Sequence, residues 1–417
     1  MTFLNVVEVE SALTGLNSAY SSLTELVTLP YPTFEDRWTH ALRIRKRSRC
    51  GCARNAVLLI SGTHAREWGG PDIVISFAAD LLEAYTTNSG LAYGGTSFSA
   101  AQIASIVDWI DVIVCPNINP DGRNYSQTTY PMWRKNRNPA SSGGDPSKIG
   151  VDLNRNYDFL WDFPVKFAAG ANPGTLASTN PASDLFHGTA GFSEAETQNV
   201  RWLFEHYHGI RWFMDIHSSG GDVLYSWGDD EDQTSDPTMT FTNTAWDHQR
   251  GVPGDTYKEY IPAAYVSRVQ GVATAMRDAI ASVRGEPYTT AQAFGLPGWS
   301  SYPTSGASDD WSFGRHFADP AQPQTFGYTL EFNASGGFFP TWAEMVDIIR
   351  DVDAGLVALC LQARPSWLCM LWCRFWRWLC GIIIWHRVWP PELWGPYGPW
   401  AWLRRVVYSV VRRKPRQ

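Results

Sequence analysis

Cysteines are few in this sequence, and the signals of export are missing from its first residues. Seven cysteines occur among 417 residues, an odd number whose spacing fits no disulfide framework. The first 20 residues contain no basic segment, and Glu8 and Glu10 interrupt their apolar positions, so they do not resemble a secretory leader. Together these absences predict a protein of a reducing compartment, with a cytoplasmic location.

Positive charge is also scarce in most of the chain. Residues 1–365 contain 25 Lys and Arg against 40 Asp and Glu, and such an acidic composition argues against nucleic acid as a partner. A chain of 417 residues can bury a large core. We therefore expect one large domain over residues 1–365 and a separate segment over residues 366–417.

The segment 366–417 has the opposite composition. It holds nine of the 21 tryptophans and nine Lys and Arg against one acid, Glu392. Its first part is long enough to cross a bilayer, which takes about 20 residues, but Arg374 and Arg377 oppose spanning by about 2.5–3.5 kcal/mol each. Trp and Arg together suit the membrane interface better. Three interpretations stay open: contact with a membrane surface, spanning, or an unstructured string from a misread reading frame.

Short apolar runs that end abruptly at polar residues predict buried strands. Four such runs lie at residues 56–60, 111–115, 211–216 and 326–330. Amphipathic segments of helical length lie at residues 71–85, 193–207, 266–280 and 341–362. In the second, Ser193 and Glu196 have the spacing of a capping box. The alternation predicts an α/β fold with a mixed, largely parallel central β-sheet covered by helices on both faces. Residues 117–182 and 218–262 are expected to be long loops.

A histidine and a glutamate follow the first predicted strand at a spacing that suits a metal ion. In SGTHAREWGG, residues 61–70, His64 lies three residues before Glu67, and both side chains bind Zn²⁺ at about 2.0–2.2 Å. The pair alone is weak evidence, because it occurs by chance in chains of this composition. However, His217 and Glu331 also end predicted strands. Ligands gather at the carboxyl ends of strands in such sheets, so we expect these residues to converge.

Several motifs, in order, resemble the zinc metallocarboxypeptidases of the carboxypeptidase A/B type. The resemblance covers roughly residues 5–362. The motifs are HAREW at 64–68, NPDG at 119–122, MWRKNR at 132–137, VDLNRN at 151–156, DIHS at 215–218, YPTSGASDDW at 302–311 and TLEF at 329–332. The resemblance implies that one Zn²⁺ is held by His64, Glu67 and His217. Three protein ligands leave a fourth position for water, as in catalytic zinc sites.

The resemblance implies an enzyme that hydrolyses the C-terminal peptide bond of peptides or proteins with a metal-activated water. Glu331 would be the general base, because a carboxylate at the end of an apolar strand has a raised affinity for a proton. Arg134 would stabilise the oxyanion. Asp152 would accept a hydrogen bond from the far nitrogen of His64. No prodomain precedes the matching region, so we expect an enzyme that is active once folded, as a monomer.

Further residues would bind the substrate. Asn154 and Arg155 would pair with its C-terminal carboxylate, a group that a planar guanidinium binds in bidentate fashion. Tyr302 would close over the bound substrate, and Arg66 would contact it further from the cleaved bond. Asp309 would lie at the floor of the pocket for the C-terminal side chain. A buried carboxylate there favours a substrate that ends in Lys or Arg.

Two alternatives stay open. The first keeps the zinc ligands but acts as an amidohydrolase on a non-protein or cell-wall peptide substrate. Arg155 and Tyr302 argue against it, because they suit an α-carboxylate. The second is a non-catalytic peptide-binding relative, which the presence of every catalytic residue type disfavours.

Overall fold

Residues 2–46, 54–298 and 300–365 are described by the structure, which is a computed structural model. Their helices and strands belong to one compact unit, Met1–Arg364. The segment 366–417, for which the sequence leaves three interpretations, lies outside the described residues. Among the helices in the described ranges, none combines the length and the hydrophobicity that a bilayer span requires.

Helices and strands alternate along much of the chain. The helices are α1 (Val6–Ala19), α2 (Gly69–Thr87), α3 (Ala100–Trp109), α4 (Pro120–Thr128), α5 (Phe163–Lys166), α6 (Ala195–His206), α7 (Ala263–Arg284), α8 (Ser308–Ala318) and α9 (Trp342–Gln362). The strands are β1 (Thr24–Thr28), β2 (His40–Ile44), β3 (Asn55–Ser61), β4 (Leu91–Tyr93), β5 (Thr96–Phe98), β6 (Ile110–Cys115), β7 (Ile210–Ser218), β8 (Asp222–Tyr225), β9 (Asp232–Gln233), β10 (Glu259–Tyr260), β11 (Thr289–Gln292) and β12 (Phe326–Phe332).

Eight of these strands form one mixed sheet in the order β1-β2-β6-β3-β7-β12-β8-β11. Its four central strands, β6, β3, β7 and β12, are mutually parallel. Antiparallel pairing appears toward the edges, between β1 and β2, β2 and β6, and β12 and β8. The predicted mixed, largely parallel sheet is confirmed. The four apolar runs of the sequence are the four central strands.

Both faces of the sheet are buried under helices. Successive residues of β3 point to opposite faces, as the pleat of a strand requires. Val57 and Leu59 pack into a core that includes residues of α2, α3, α7 and α9. Leu58 and Ile60 pack into a second core with residues of α6 and α8. Burial on both sides explains why the central strands are continuously apolar.

The structure corrects the predicted start of α6. The helix begins at Ala195, and its N-cap residue Glu194 makes no side-chain capping hydrogen bond. Ser193 donates to the carboxylate of Glu194, while the carboxylate of Glu196 is buried and accepts from Asn136 Nδ2 at 3.2 Å. The capping-box prediction was therefore wrong, because Glu196 turns into the protein interior.

The two long predicted loops also contain regular structure. Helix α4 lies in the first and begins at Pro120, after the N-cap residue Asn119, whose side chain accepts from the N–H of Gly122. Strand β8 lies in the second and joins the main sheet beside β12. Helix α4 is short and polar, and strand β8 is short and follows Gly and Ser residues. Neither therefore has the apolar run that predicts a helix or a strand.

Candidate active site

The candidate site lies where three parallel strands end side by side. β3 ends at Ser61, and His64 follows in the turn that leads through Glu67 into α2. His217 on β7 and Glu331 on β12 are direct neighbours in the register of the two strands. Because parallel strands bring their carboxyl ends to one edge of a sheet, the topology alone gathers these residues.

His64, Glu67 and His217 form a buried cluster, with one ligand atom from each within 4.8 Å of the others. His64 Nδ1 is 2.8 Å from Glu67 Oε1, His217 Nδ1 is 2.9 Å from Glu67 Oε2, and the two Nδ1 atoms are 3.1 Å apart. The ligand atoms of a tetrahedral zinc site, bonded at about 2.0–2.1 Å, lie roughly 3.3 Å from one another. The cluster therefore has the size of a zinc site.

The far nitrogen of each imidazole faces an aspartate. His64 Nε2 lies 3.2 Å from Asp152 Oδ1. His217 Nε2 lies 3.0 Å from Asp215 Oδ2, close enough to orient the ring although not aligned as a regular hydrogen bond. A carboxylate at Nε2 favours the tautomer that carries its proton there, which leaves the lone pair of Nδ1 for the cluster. Two such lone pairs and a carboxylate repel unless a cation lies between them, and this donor set fits Zn²⁺.

The electrostatics of the cluster also favour a bound cation. Burial raises the pKa of Glu67, but the two facing imidazoles outweigh burial and hold that pKa well below its usual range. For His217, burial lowers the pKa, and Asp215 and Glu67 raise it by more. Carboxylates thus stabilise positive charge at this point, and a divalent cation supplies that charge directly.

Glu331 is a partly exposed carboxylate beside the cluster. Burial, assisted by the negative charge of Glu67, raises the pKa of Glu331 to about 8, while His217 and Arg134 act in the opposite direction. A divalent cation at the cluster lowers this pKa again. A carboxyl group with a pKa near neutrality can both accept and return a proton at neutral pH, which is the requirement for a general base.

Asp152 connects His64 to Arg134. Its Oδ2 accepts from Nε and Nη2 of Arg134 at 3.0 and 2.9 Å, and its Oδ1 accepts from the backbone N–H of Asn154 at 3.0 Å. Burial raises the pKa of Asp152, but Arg134 and His64 lower it by more, so the group stays ionised. The sequence predicted only the contact with His64. In the fold, the same carboxylate also fixes the guanidinium beside the cluster.

Arg155 lies at the end of a short 3-10 turn, Leu153–Arg155, and is buried. Its Nε and Nη2 donate to the carbonyl of Thr175, and its Nη1 donates to the carbonyl of Asn154. A guanidinium has five N–H groups. Within the described part of the chain, one N–H on each terminal nitrogen therefore stays available, and these two can bind a carboxylate in bidentate fashion. The side chain of Asn154 itself accepts from the N–H of Ser308 at 2.9 Å.

Tyr302 and Arg66 have different neighbours in the structure. Tyr302 is partly exposed. Burial lowers the pKa of the Arg134 guanidinium, and Tyr302 lies close enough to be one of the groups that raise it. The guanidinium of Arg66 is 4.7 Å from the ring centre of Phe338, and its Nη1 is 3.3 Å from Asp184 Oδ2. Since the Asp184 side chain is 64% exposed, Arg66 lies toward the rim of the site.

Asp309 is buried in the first turn of α8. Its Oδ2 accepts from Thr329 Oγ1 at 3.1 Å. Thr329 lies two residues before Glu331 on β12, so the two side chains leave the same face of that strand, about 7 Å apart. Burial raises the pKa of Asp309, since few donors compensate the desolvated charge. The absence of a Cβ at Gly327 lets α8 approach this closely, because a Cβ there would collide with the carbonyl of Asp309.

Asp215 is a residue of the site that the sequence did not single out. Besides facing His217, its carboxylate accepts from Thr63 Oγ1 at 3.0 Å and from Ser308 Oγ at 2.9 Å. It therefore joins β7 to the turn after β3 and to the start of α8. A signal was available, because residues two apart on a strand share a face, and Asp215 precedes His217 by two.

Comparison with known proteins agrees with this site. The family model described as zinc carboxypeptidase matches residues 9–354. The chain belongs to the zinc carboxypeptidase family. Carboxypeptidase B from Astacus astacus is 26% identical to it over 332 residues, which are 79% of this chain and 86% of that protein. The crystal structure of carboxypeptidase A from Helicoverpa armigera has the same fold, with a TM-score of 0.65, 23% identity, and coverage of 87% of this chain and 74% of that one.

Not every relative of this zinc carboxypeptidase is active or matches at full length. An inactive metallocarboxypeptidase from Talaromyces stipitatus is 31% identical over 216 residues, half of this chain and 32% of that protein. Several other curated relatives are also matched over only about a third of their length. The predicted family and its cofactor, one Zn²⁺, are confirmed.

Proposed function

We propose that this zinc carboxypeptidase is an active exopeptidase that removes the C-terminal residue of peptides or proteins. The observation that supports this most strongly is the position of Glu331, side by side with His217 and within the electrostatic influence of Glu67 and Arg134. A binding protein needs no proton acceptor at that point. A hydrolase needs one there.

Recognition of a free C-terminus is assigned to Arg155 and Asn154. The two N–H groups that Arg155 keeps for a ligand lie on its terminal nitrogens, which is the arrangement that matches the two oxygens of a carboxylate. The backbone carbonyls of Thr175 and Asn154 hold this guanidinium in place, so little side-chain entropy is lost on binding. Tyr302 closes over the bound residue, and Arg66 contacts the substrate at the rim.

Hydrolysis itself requires charge stabilisation and one proton carrier. His64, Glu67 and His217 would hold the Zn²⁺, which when bound would supply Lewis acidity and lower the pKa of water. Glu331 takes the proton from the attacking water and delivers it to the nitrogen of the departing amino acid. Arg134, fixed by two hydrogen bonds to Asp152, stabilises the negative charge that develops on the carbonyl oxygen.

Asp309 makes Lys or Arg the preferred C-terminal residue. A buried carboxylate without a cationic partner is unfavourable, and the Thr329 hydroxyl compensates it only partly. A basic substrate side chain restores the missing charge. Asp215, which lies close enough to raise the pKa of Asp309, adds negative charge to the same region.

The alternatives explain less of the site. An amidohydrolase acting on a non-peptide or cell-wall substrate gives no reason for a buried arginine whose two outer N–H groups fit a carboxylate. A non-catalytic peptide-binding protein gives no reason for Glu331. Cytoplasmic location, a monomeric state and contact of residues 366–417 with a membrane surface stay predictions.

Mass spectrometry of a peptide library tests this function. We expect the protein to shorten peptides by single residues from the C-terminus, with Lys and Arg released first, and a zinc chelator to stop the release. C-terminally amidated peptides are the matched control and stay intact, because they lack the carboxylate that Arg155 binds. Internal cleavage, hydrolysis of amidated peptides at the same rate, or no hydrolysis by the zinc-loaded protein would contradict the proposal.

A further inference from the structure

A cleft lined by arginines lies at the other end of the parallel strands from the zinc-binding cluster. Its cavity volume is about 470 Å³, and four arginines and one carboxylate are among its lining residues: Arg43, Arg45, Arg54, Arg211 and Asp111. These five residues define the basic cleft. They lie near the amino-terminal starts of β3, β6 and β7. Arg211 of the basic cleft and His217 lie six positions apart on β7, which is about 20 Å at about 3.3 Å per residue.

Two of the four arginines have structural partners. Arg43 Nε and Arg54 Nε bind opposite oxygens of Asp111, at 2.9 and 2.7 Å. Arg54 also donates to the backbone carbonyls of Asp108 and Val107, at 2.6 and 2.8 Å. Their positions are thus fixed by the protein. The one carboxylate in the basic cleft is used by these two residues.

Within the described residues, the other two arginines have no side-chain hydrogen bond of this kind. Arg45 comes no closer than 3.8 Å to Glu25 and 4.0 Å to Asp111, too far for a hydrogen bond. Arg211 Nη1 is buried and has no hydrogen-bond acceptor among the described residues. Leaving a charged donor buried and unpaired is costly. An anion in the cavity, which Arg211 lines, would balance the delocalised charge of that guanidinium and would also pair with Arg45.

We propose that the basic cleft is a binding site for a compact anion that carries several phosphate groups, with Arg45 and Arg211 as its direct ligands. Guanidinium groups match phosphate oxygens in geometry and charge. Four arginines against Asp111 and Glu25, which pairs with Arg43 at 3.2 Å, leave two positive charges, and a multiply charged anion balances them better than a single carboxylate. Residues 1–365 as a whole contain 25 Lys and Arg against 40 Asp and Glu, so the excess of positive charge at the cleft is a local feature.

Two sources share this chemistry, a free oligophosphate and the phosphate chain of a nucleotide. Isothermal titration calorimetry with sodium tripolyphosphate and with magnesium-free ATP distinguishes them. Equal affinity for the two identifies the phosphate chain as the recognised group, and tighter binding of ATP adds a contact to the nucleoside. We expect one saturable site per chain for at least one of these probes at matched ionic strength. Absence of saturable binding for both would overturn the proposal.

The double variant Arg45→Gln/Arg211→Gln identifies the site. We expect it to weaken binding by about tenfold or more, because each arginine contributes a charge-assisted contact. The matched control is Arg277→Gln/Arg350→Gln, which removes the same charge from a partly exposed and an exposed arginine that pair with acids on their own helices. Chelation of zinc by the probe is the same in all three proteins. A difference in affinity between the two double variants therefore measures binding at the basic cleft.

Equal weakening in both double variants would overturn the proposal, since it would mean non-specific attraction. Arg45→Gln alone is the second variant, because its side chain is 32% exposed and its loss leaves no buried group unpaired. We expect the single change to weaken binding severalfold, and unchanged affinity would also count against the site. Peptide hydrolysis stays unchanged in every variant, because none of these residues belongs to the active site.

Discussion

Replacing Glu331 with glutamine is expected to lower kcat by about 10²–10⁴-fold, the usual contribution of a general base. Glutamine keeps the size of the side chain but cannot take a proton from water. Since Glu331 is not one of the three residues of the metal cluster, zinc content should stay at one ion per chain. Stopped-flow or steady-state hydrolysis of a peptide ending in Arg, with metal analysis of the same samples, provides the measurement.

Asp222→Asn is the matched control for this substitution. Asp222 is the register partner of Glu331 on the antiparallel neighbour β8 and is buried, but its carboxylate accepts a hydrogen bond from Thr289 Oγ1. We expect its replacement to change kcat by less than about tenfold, through the electrostatic influence that it has on Glu331. A Glu331→Gln protein that binds zinc and keeps more than a tenth of the wild-type kcat would show that another group carries the proton.

The second large effect is expected from Asp309→Asn. Asparagine can still accept from Thr329 but has no charge, so a basic substrate side chain would be buried without a counter-ion. Leaving a buried charge unpaired costs about 3–5 kcal/mol, which corresponds to a loss of about 10²–10³-fold or more in kcat/KM for peptides ending in Arg or Lys. For peptides ending in Phe or Leu, kcat/KM should be unchanged or higher.

Two comparisons control the Asp309 result. The peptide ending in Phe reports whether the catalytic groups are intact in the variant. Asp310→Asn removes the neighbouring charge, whose oxygens both accept from the N–H of Gly228, and we expect it to keep the preference for Arg. If Asp309→Asn leaves the ratio of Arg to Phe hydrolysis unchanged, the charge of Asp309 does not set the specificity.

The parts of the fold that the sequence predicted are those with strong hydrophobic patterns. The central strands β3, β6, β7 and β12 are buried on both faces, so they are continuously apolar and easy to recognise. β8 has four residues and follows a pair of glycines, Gly220 and Gly221, so no run is visible. Its position depends on pairing with β12, which is a tertiary interaction that local sequence does not encode.

The same distinction applies to the site. The positions of His64, His217 and Glu331 could be predicted because each follows or ends a strong strand pattern. The contact between Asp152 and Arg134 could not, since it joins two irregular segments whose path depends on the whole fold. The capping-box prediction was wrong for a related reason. The carboxylate of Glu196 accepts a hydrogen bond from Asn136 and makes no capping contact at the start of the helix.

A crystal structure measured at the zinc absorption edge would locate the metal ion. We expect one anomalous peak per chain in the unit 1–364, about 2.0–2.2 Å from His64 Nδ1, His217 Nδ1 and the carboxylate of Glu67, with the Glu331 carboxylate nearby but not bound to the ion. A zinc-loaded protein whose anomalous peak lies among other residues, or whose His64 and His217 coordinate nothing, would contradict this expectation.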